Sequence, residues 1–112
     1  MYRKHGESVF TDKNGLKTYI LLLIVDALSN DKPVILFQVG MRLYRMTPRT
    51  NTDNWFEITD DFFKTKNLHY VTITGLFIVK GELCLKVQSW GTIRYLKYNE
   101  IFGELNVIYC PI

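Results

Sequence analysis

The chain has little of what enzyme active sites are usually built from. Its 112 residues hold two cysteines, three prolines and two histidines. Cys84 and Cys110 are too few to define a disulfide framework, and a reduced, partly buried pair is the expected state. There is no CxxC pair, no HExxH and no glycine-rich phosphate loop, so dithiol, zinc and nucleotide chemistry have no motif to rest on, and neither a metal nor a cofactor is expected. Charge of one sign is also scarce. Lys and Arg exceed Asp and Glu by 14 to 11, a net +3 without a dense basic cluster, which argues against a nucleic-acid partner. The longest apolar run, residues 19–25, is far below the roughly 20 residues of a membrane span, so no membrane partner is expected. The first eight residues carry charges with no apolar stretch behind them, so no secretory leader is read and the expected location is cytoplasmic.

What the chain does have is ordinary globular composition, 47% hydrophobic and 22% charged, in a length suited to one domain. The unusual feature is aromatic: seven Tyr, seven Phe and two Trp make 14% of the residues. That many rings point to a sheet-rich core or to a face that expects a partner.

Hydrophobic periodicity gives the order of elements. Residues 1–11 are polar and read as a loose arm or an added edge strand. The turn formers Asp12-Lys13-Asn14-Gly15 precede a segment, residues 16–29, whose length favours helix over strand; it is apolar nearly all round, so burial on most sides is expected. Lys32-Pro33 restarts the chain in extended form. Residues 34–39 then read as a central strand, Gly40 as a bulge or bend, and residues 41–46 as a half-exposed strand. A polar loop fills 47–54, a short strand is expected at 55–58, and the acids of 59–64 suggest a capped helical turn. Residues 69–79 and 82–90 form a hairpin about Lys80-Gly81. A strand at 92–96, a short helix or turn at 97–103 and a last strand at 105–109 complete the chain. The expected fold is α+β: one buried helix packed on a mostly antiparallel sheet of five or six strands, in a single domain over residues 1–112.

Few residues offer chemistry. Asp60 and Asp61 are adjacent, which suits a helix N-terminus better than a carboxylate pair sharing a proton. Arg42, Arg45 and Arg49 read as alternating charge on an exposed strand, and His5 as a solvated side chain in the arm. That leaves His69 and its surroundings: His69-Tyr70-Val71-Thr72-Ile73-Thr74-Gly75, followed by Leu85-Lys86-Val87-Gln88-Ser89-Trp90-Gly91. This pattern resembles the C-terminal half of papain-like cysteine peptidases, most closely the bacterial branch related to bacteriocin-leader (double-glycine) peptidases. In that family the catalytic histidine opens a long strand, and a later strand ends in Ser-Trp-Gly. The segment from Ala27-Leu28 to Pro33-Val34-Ile35-Leu36, and the run 93–102 with its Tyr98-Asn99-Glu100-Ile101 turn, fit the same resemblance. It spans roughly residues 16–102.

The resemblance implies a general-base role for His69, an orienting amide from Gln88 where the family has Asn, and Ser89 and Trp90 at the binding wall, Trp90 shielding the imidazole bond from water. It also implies a nucleophilic cysteine before the histidine, and no cysteine precedes His69 here. Cys84 sits mid-strand without a helix N-terminus to activate it. Three functional readings follow. The chain is a peptidase-derived fragment or binding module, inactive alone; or part of an active cysteine peptidase whose nucleophile lies on an upstream segment or a second chain; or an unrelated small α+β interaction domain. Half of a papain-like domain would leave a face uncovered, so a homodimer or a covering partner is expected, with a peptide as candidate ligand.

Overall fold

The computed structural model describes residues 2–5, 13–48, 56–102 and 106–111. One α-helix, α1 (Lys13–Ser29), lies against eight strands: β1 (Tyr2–His5), β2 (Val34–Val39), β3 (Arg42–Pro48), β4 (Phe56–Lys64), β5 (Leu68–Val79), β6 (Glu82–Ser89), β7 (Thr92–Lys97) and β8 (Asn106–Pro111). They form one sheet in the order β1-β8-β2-β5-β6-β7-β3-β4, every neighbouring pair antiparallel. The α+β class expected from sequence is observed, with more strands than the five or six anticipated.

The arm supplies an added strand, and the short strand expected at 55–58 runs on through residue 64. Residues 2–5 of the arm pair with β8 as an edge strand, Tyr2 opposite Pro111 and His5 opposite Ile108; residues 6–11 lie outside the described set, as does Arg49. Residues 59–64 are not a capped turn but the second half of β4, paired from Arg42↔Lys64 to Pro48↔Phe56. The acids Asp60-Asp61 resemble a helix start, but Phe56, Ile58, Thr59, Phe62 and Phe63 favour a strand, and β3 supplies the ladder.

α1 also departs from expectation in its burial. Leu16, Ile20, Ile24 and Ala27 are buried, one stripe at helical spacing, whereas Leu22 is 64% and Val25 43% exposed. A single sheet face covers a single stripe, so an evenly apolar helix still shows its far side to water. The helix ends in a Schellman arrangement: Lys32 N–H donates to the Ala27 carbonyl and Asp31 N–H to that of Leu28, with Asp31 left-handed at φ 56°. Pro33 then leads into β2.

Register sets the core. Val34 opposes Ile73, Leu36 opposes both Val71 and Ile108, Ile73 opposes Val87, and Leu85 opposes Leu96, so all of these share the face on which α1 lies, and all are buried. A 3₁₀ turn, Tyr98–Phe102, packs on the same cluster through Tyr98, Ile101 and Phe102, and the Tyr98 hydroxyl donates to the Lys17 carbonyl of the helix. Glu100 of this turn anchors β3: its carboxylate accepts 2.7 Å bonds from the Arg42 guanidinium and the Tyr44 hydroxyl.

The meander β5-β6-β7 is closed by two tight turns. Lys80 and Gly81 have φ 52° and 78°, Trp90 and Gly91 have φ 50° and 75°, and the residues flanking each pair are in register (Val79↔Glu82, Ser89↔Thr92). Both are the two-residue, doubly left-handed turn that matches the right-handed twist of the strands and favours Asn-Gly. Lys80→Asn is therefore expected to stabilise the protein by about 0.5–1 kcal/mol, and Gly81→Ala to destabilise it by about 1 kcal/mol, because an L side chain resists the left-handed region. Denaturant midpoints of the two variants check both signs.

Candidate functional site

The site is decided by one irregularity in the β5–β6 hairpin. From Val79↔Glu82 to Gly75↔Lys86 the paired numbers follow the Lys80-Gly81 turn; beyond it the pairs are Ile73↔Val87 and Thr72↔Gln88, with Thr74 left over as a bulge. One extra residue reverses which side chains share a face. An unbroken hairpin would place His69 and Gln88 on the same side. In the structure Gln88 faces away with Thr72 and Ile93, exposed, while His69 lies on the core face with Val71, Ile73, Val87 and Ser89. Gln88 therefore does not orient His69.

Ser89 does. The His69 Nε2 and the Ser89 Oγ are 2.7 Å apart, and Ser89 is buried. The Ser89 carbonyl accepts a 2.7 Å bond from the Thr92 hydroxyl across the Trp90-Gly91 turn, which fixes the end of β6. Trp90 stands beside the imidazole, with ring centroids 4.1 Å apart and planes tilted by 45°. Partial burial lowers the His69 pKa below its ordinary value, so the ring is neutral at neutral pH. Gln38 faces His69 across β2–β5, buried; its amide nitrogen donates to the Glu100 carbonyl at 3.3 Å and its Oε1 has no hydrogen-bond partner among the described residues. Nothing local in the sequence marks Gln38, because its place opposite His69 follows from β2–β5 register alone.

Cys84 stands elsewhere. It occupies the opposite face of β6 from Ser89, opposite Phe77, and is buried. Burial first, and Glu82 second, push its thiol up to about 11, so it is not a thiolate at neutral pH. Among the described residues no three His, Cys, Asp or Glu side chains converge on a point that would hold a metal ion. None of the described helices is long and apolar enough to cross a membrane.

Trp90 links this cluster to a groove. An open depression of about 420 Å³ is walled by Phe63, Trp90 and Thr92 and flanked by Arg45, Asp61 and Arg94. Phe63 and Trp90 meet edge-on at 6.1 Å, and both are largely exposed, at 57% and 70%. The Arg45–Asp61 contact is long, 3.9 Å, and solvated. Arg94 donates only to the Ile93 carbonyl and has no carboxylate partner among the described residues. Phe63, Arg45 and Arg94 are brought together by the β4-β3-β7 order, which the expected helical turn at 59–64 concealed.

Comparison with known proteins finds no matching family model, no matching curated protein and no matching solved structure.

The neutral, partly buried imidazole makes a pH prediction. Its folded pKa lies below the ordinary 6.5, so the folded state resists a proton that the unfolded chain accepts. This contribution is complete above 6.5 and is lost progressively as the pH falls below it. Wild-type and His69→Gln proteins are expected to differ less in urea midpoint at about pH 5.5 than at about pH 7.5. A constant difference would show that His69 is not held neutral.

Proposed function

We propose that this chain is a binding module, catalytically silent by itself, which takes an extended peptide in the groove beside Trp90; with His69 and Gln88 on opposite faces, the catalytic pair of the peptidase family its motifs resemble is not carried over. The observation that carries the reading is the backbone at Trp90. A bulky residue at φ 50° costs roughly 1–2 kcal/mol relative to ordinary backbone. A ring that stays 70% exposed recovers little by burial. Asn in the same turn would avoid the strain, so the indole stands there against local preference, and it is presented to solvent at the mouth of a groove. Silence toward peptide bonds is supported by the remaining geometry. The one described thiol, Cys84, is buried, protonated and on the wrong face, and the Ser89 hydroxyl, although within hydrogen-bond distance of the His69 base, is buried away from a substrate.

A second reading, an active cysteine peptidase whose nucleophile comes from another segment or chain, is favoured by one feature: His69 is a neutral base held rigidly by Ser89 and Trp90. The two readings separate in a hydrolysis assay. The purified chain is expected to leave a fluorogenic peptide mixture intact; cleavage lost on Cys84→Ser would overturn the first reading. Trp90→Asn exchanges an aromatic contact worth about 0.5–1.5 kcal/mol for relief of a similar strain. Its stability is expected to stay within about 1 kcal/mol of wild type while peptide binding disappears.

Association is part of the same proposal. The sheet face away from α1 carries Phe37, Leu68, Tyr70 and Tyr109, with ring centroids 5.6 Å apart for Phe37–Tyr70 and 5.5 Å for Phe37–Tyr109. Leu68 is 63% and Tyr70 62% exposed, an apolar patch with Lys4 in register beside Tyr109 at its margin. Pairing of two such patches would bury Leu68 and the exposed ring of Tyr70, so a homodimer through this face is the expected state. Light scattering after size exclusion at micromolar concentration should give a dimer mass, and Tyr70→Glu a monomer. A monomeric wild type would remove this part of the reading.

A further inference from the structure

The groove beside Trp90 combines two chemistries that together specify a ligand, and we infer that it recognises an acidic peptide, with a carboxylate held between Arg45 and Arg94 and a neighbouring apolar side chain against Phe63 and Trp90. This rests on the groove being the binding surface proposed above. Arg94 uses a single donor, toward a backbone carbonyl, and has no carboxylate partner among the described residues. A guanidinium offers five donors in a planar fork that matches a carboxylate with two parallel bonds. Arg45 is only loosely engaged: its 3.9 Å contact with Asp61 joins two side chains that are 68% and 84% exposed, and an exposed pair of that length is easily exchanged for a better partner. Among the described residues two arginines and one acid line the groove, so their sum is positive. The exposed faces of Phe63 and Trp90 supply the apolar half, and a volume of about 420 Å³ falls within the range of ligand sites.

An extended peptide, rather than a free acid, is favoured by the edge. β4 is the last strand of the sheet and carries Asp61, Phe62 and Phe63 on the groove wall; no described strand pairs with its outer side. A peptide laid there can take main-chain bonds from β4 while alternate side chains enter the groove. The carboxylate then meets the arginines, and the next inward side chain meets the rings.

The test is calorimetric titration of the full chain with two synthetic peptides, acetyl-Thr-Glu-Thr-Phe-Thr-amide, whose Glu and Phe share one face of an extended strand, and its twin with Gln in place of Glu. The acidic peptide should bind about tenfold tighter, and added salt should erode that margin. Arg94→Gln and Arg45→Gln, checked for folding by circular dichroism, should each shrink the preference, and the double variant should abolish it. Arg94→Lys should recover only part, since an ammonium keeps the charge but not the fork. Equal binding of the two peptides would overturn the acidic assignment and leave the groove as a peptide site. Absence of binding by either peptide at millimolar concentration, confirmed by unshifted resonances of Trp90 and Phe63, would overturn the groove reading itself. Tight binding of phenylacetate with no gain from the peptide would replace the peptide by a free aromatic acid.

Discussion

The single extra residue at Thr74 governs everything that happens around His69. β6 places its apolar side chains at odd positions throughout: Leu83, Leu85 and Val87, with Ser89 following. β5 begins the same way with Val71 and Ile73 but continues with Leu76 and Ile78, at even positions. Two strands that must bury one common face cannot be paired evenly when one of them changes phase, because the side-chain period of a strand is two. Leaving Thr74 outside the ladder absorbs the mismatch. The core closes on Val71, Ile73, Leu76, Leu85 and Val87, and as a by-product the residue beside His69 is Ser89 instead of Gln88.

Around that register the protein concentrates strain and unmet polarity in one place. Trp90 is bent into left-handed backbone, the Gln38 amide oxygen is buried with no hydrogen-bond partner among the described residues, and partial burial makes His69 resist a proton. The first two lower stability at neutral pH and the third only as the pH falls below 6.5, and all three lie where β2 ends, β5 begins and β6 turns into β7. Such clustering is characteristic of a site retained for what it does rather than for how tightly it folds. The helix and the 3₁₀ turn, on the remainder of the same sheet face, carry the compensating packing.

Much of this was legible from residues alone, and the misreadings have specific causes. α1, β2 and the β5–β6 hairpin follow from length, Pro33 and the Lys80-Gly81 turn, all of them local signals. The second half of β4 was hidden because Asp60-Asp61 looks like a helix start, and only pairing with β3 overrides that preference. β1 has no pattern of its own and exists because β8 offers it an edge. The bulge did leave a trace in the phase change within β5 and in Gly75, an isolated glycine in a strand; a Cβ there would come within 3.4 Å of Lys86 Cβ. The Lys80-Gly81 turn by itself carries no sign of it. The arginines and rings of the groove come from β3, β4, β7 and the Trp90 turn, and a sequence window cannot show what only strand order assembles.

The pairing of β1 with β8 has a consequence for the order in which the sheet is assembled and taken apart. β5, β6 and β7 are joined by two-residue turns and can zip within microseconds, while β1 must find a partner on the far side of the sequence, with a correspondingly larger loop to close. β1 is four residues long and has one neighbour, so it is the element that detaches first in local opening. Each such excursion uncovers the hydrogen-bonding edge of β8, next to the strand that carries Phe37. An edge beside an apolar face is a template for another strand, so fraying at β1 adds a second route to self-association in concentrated solution besides the open outer edge of β4.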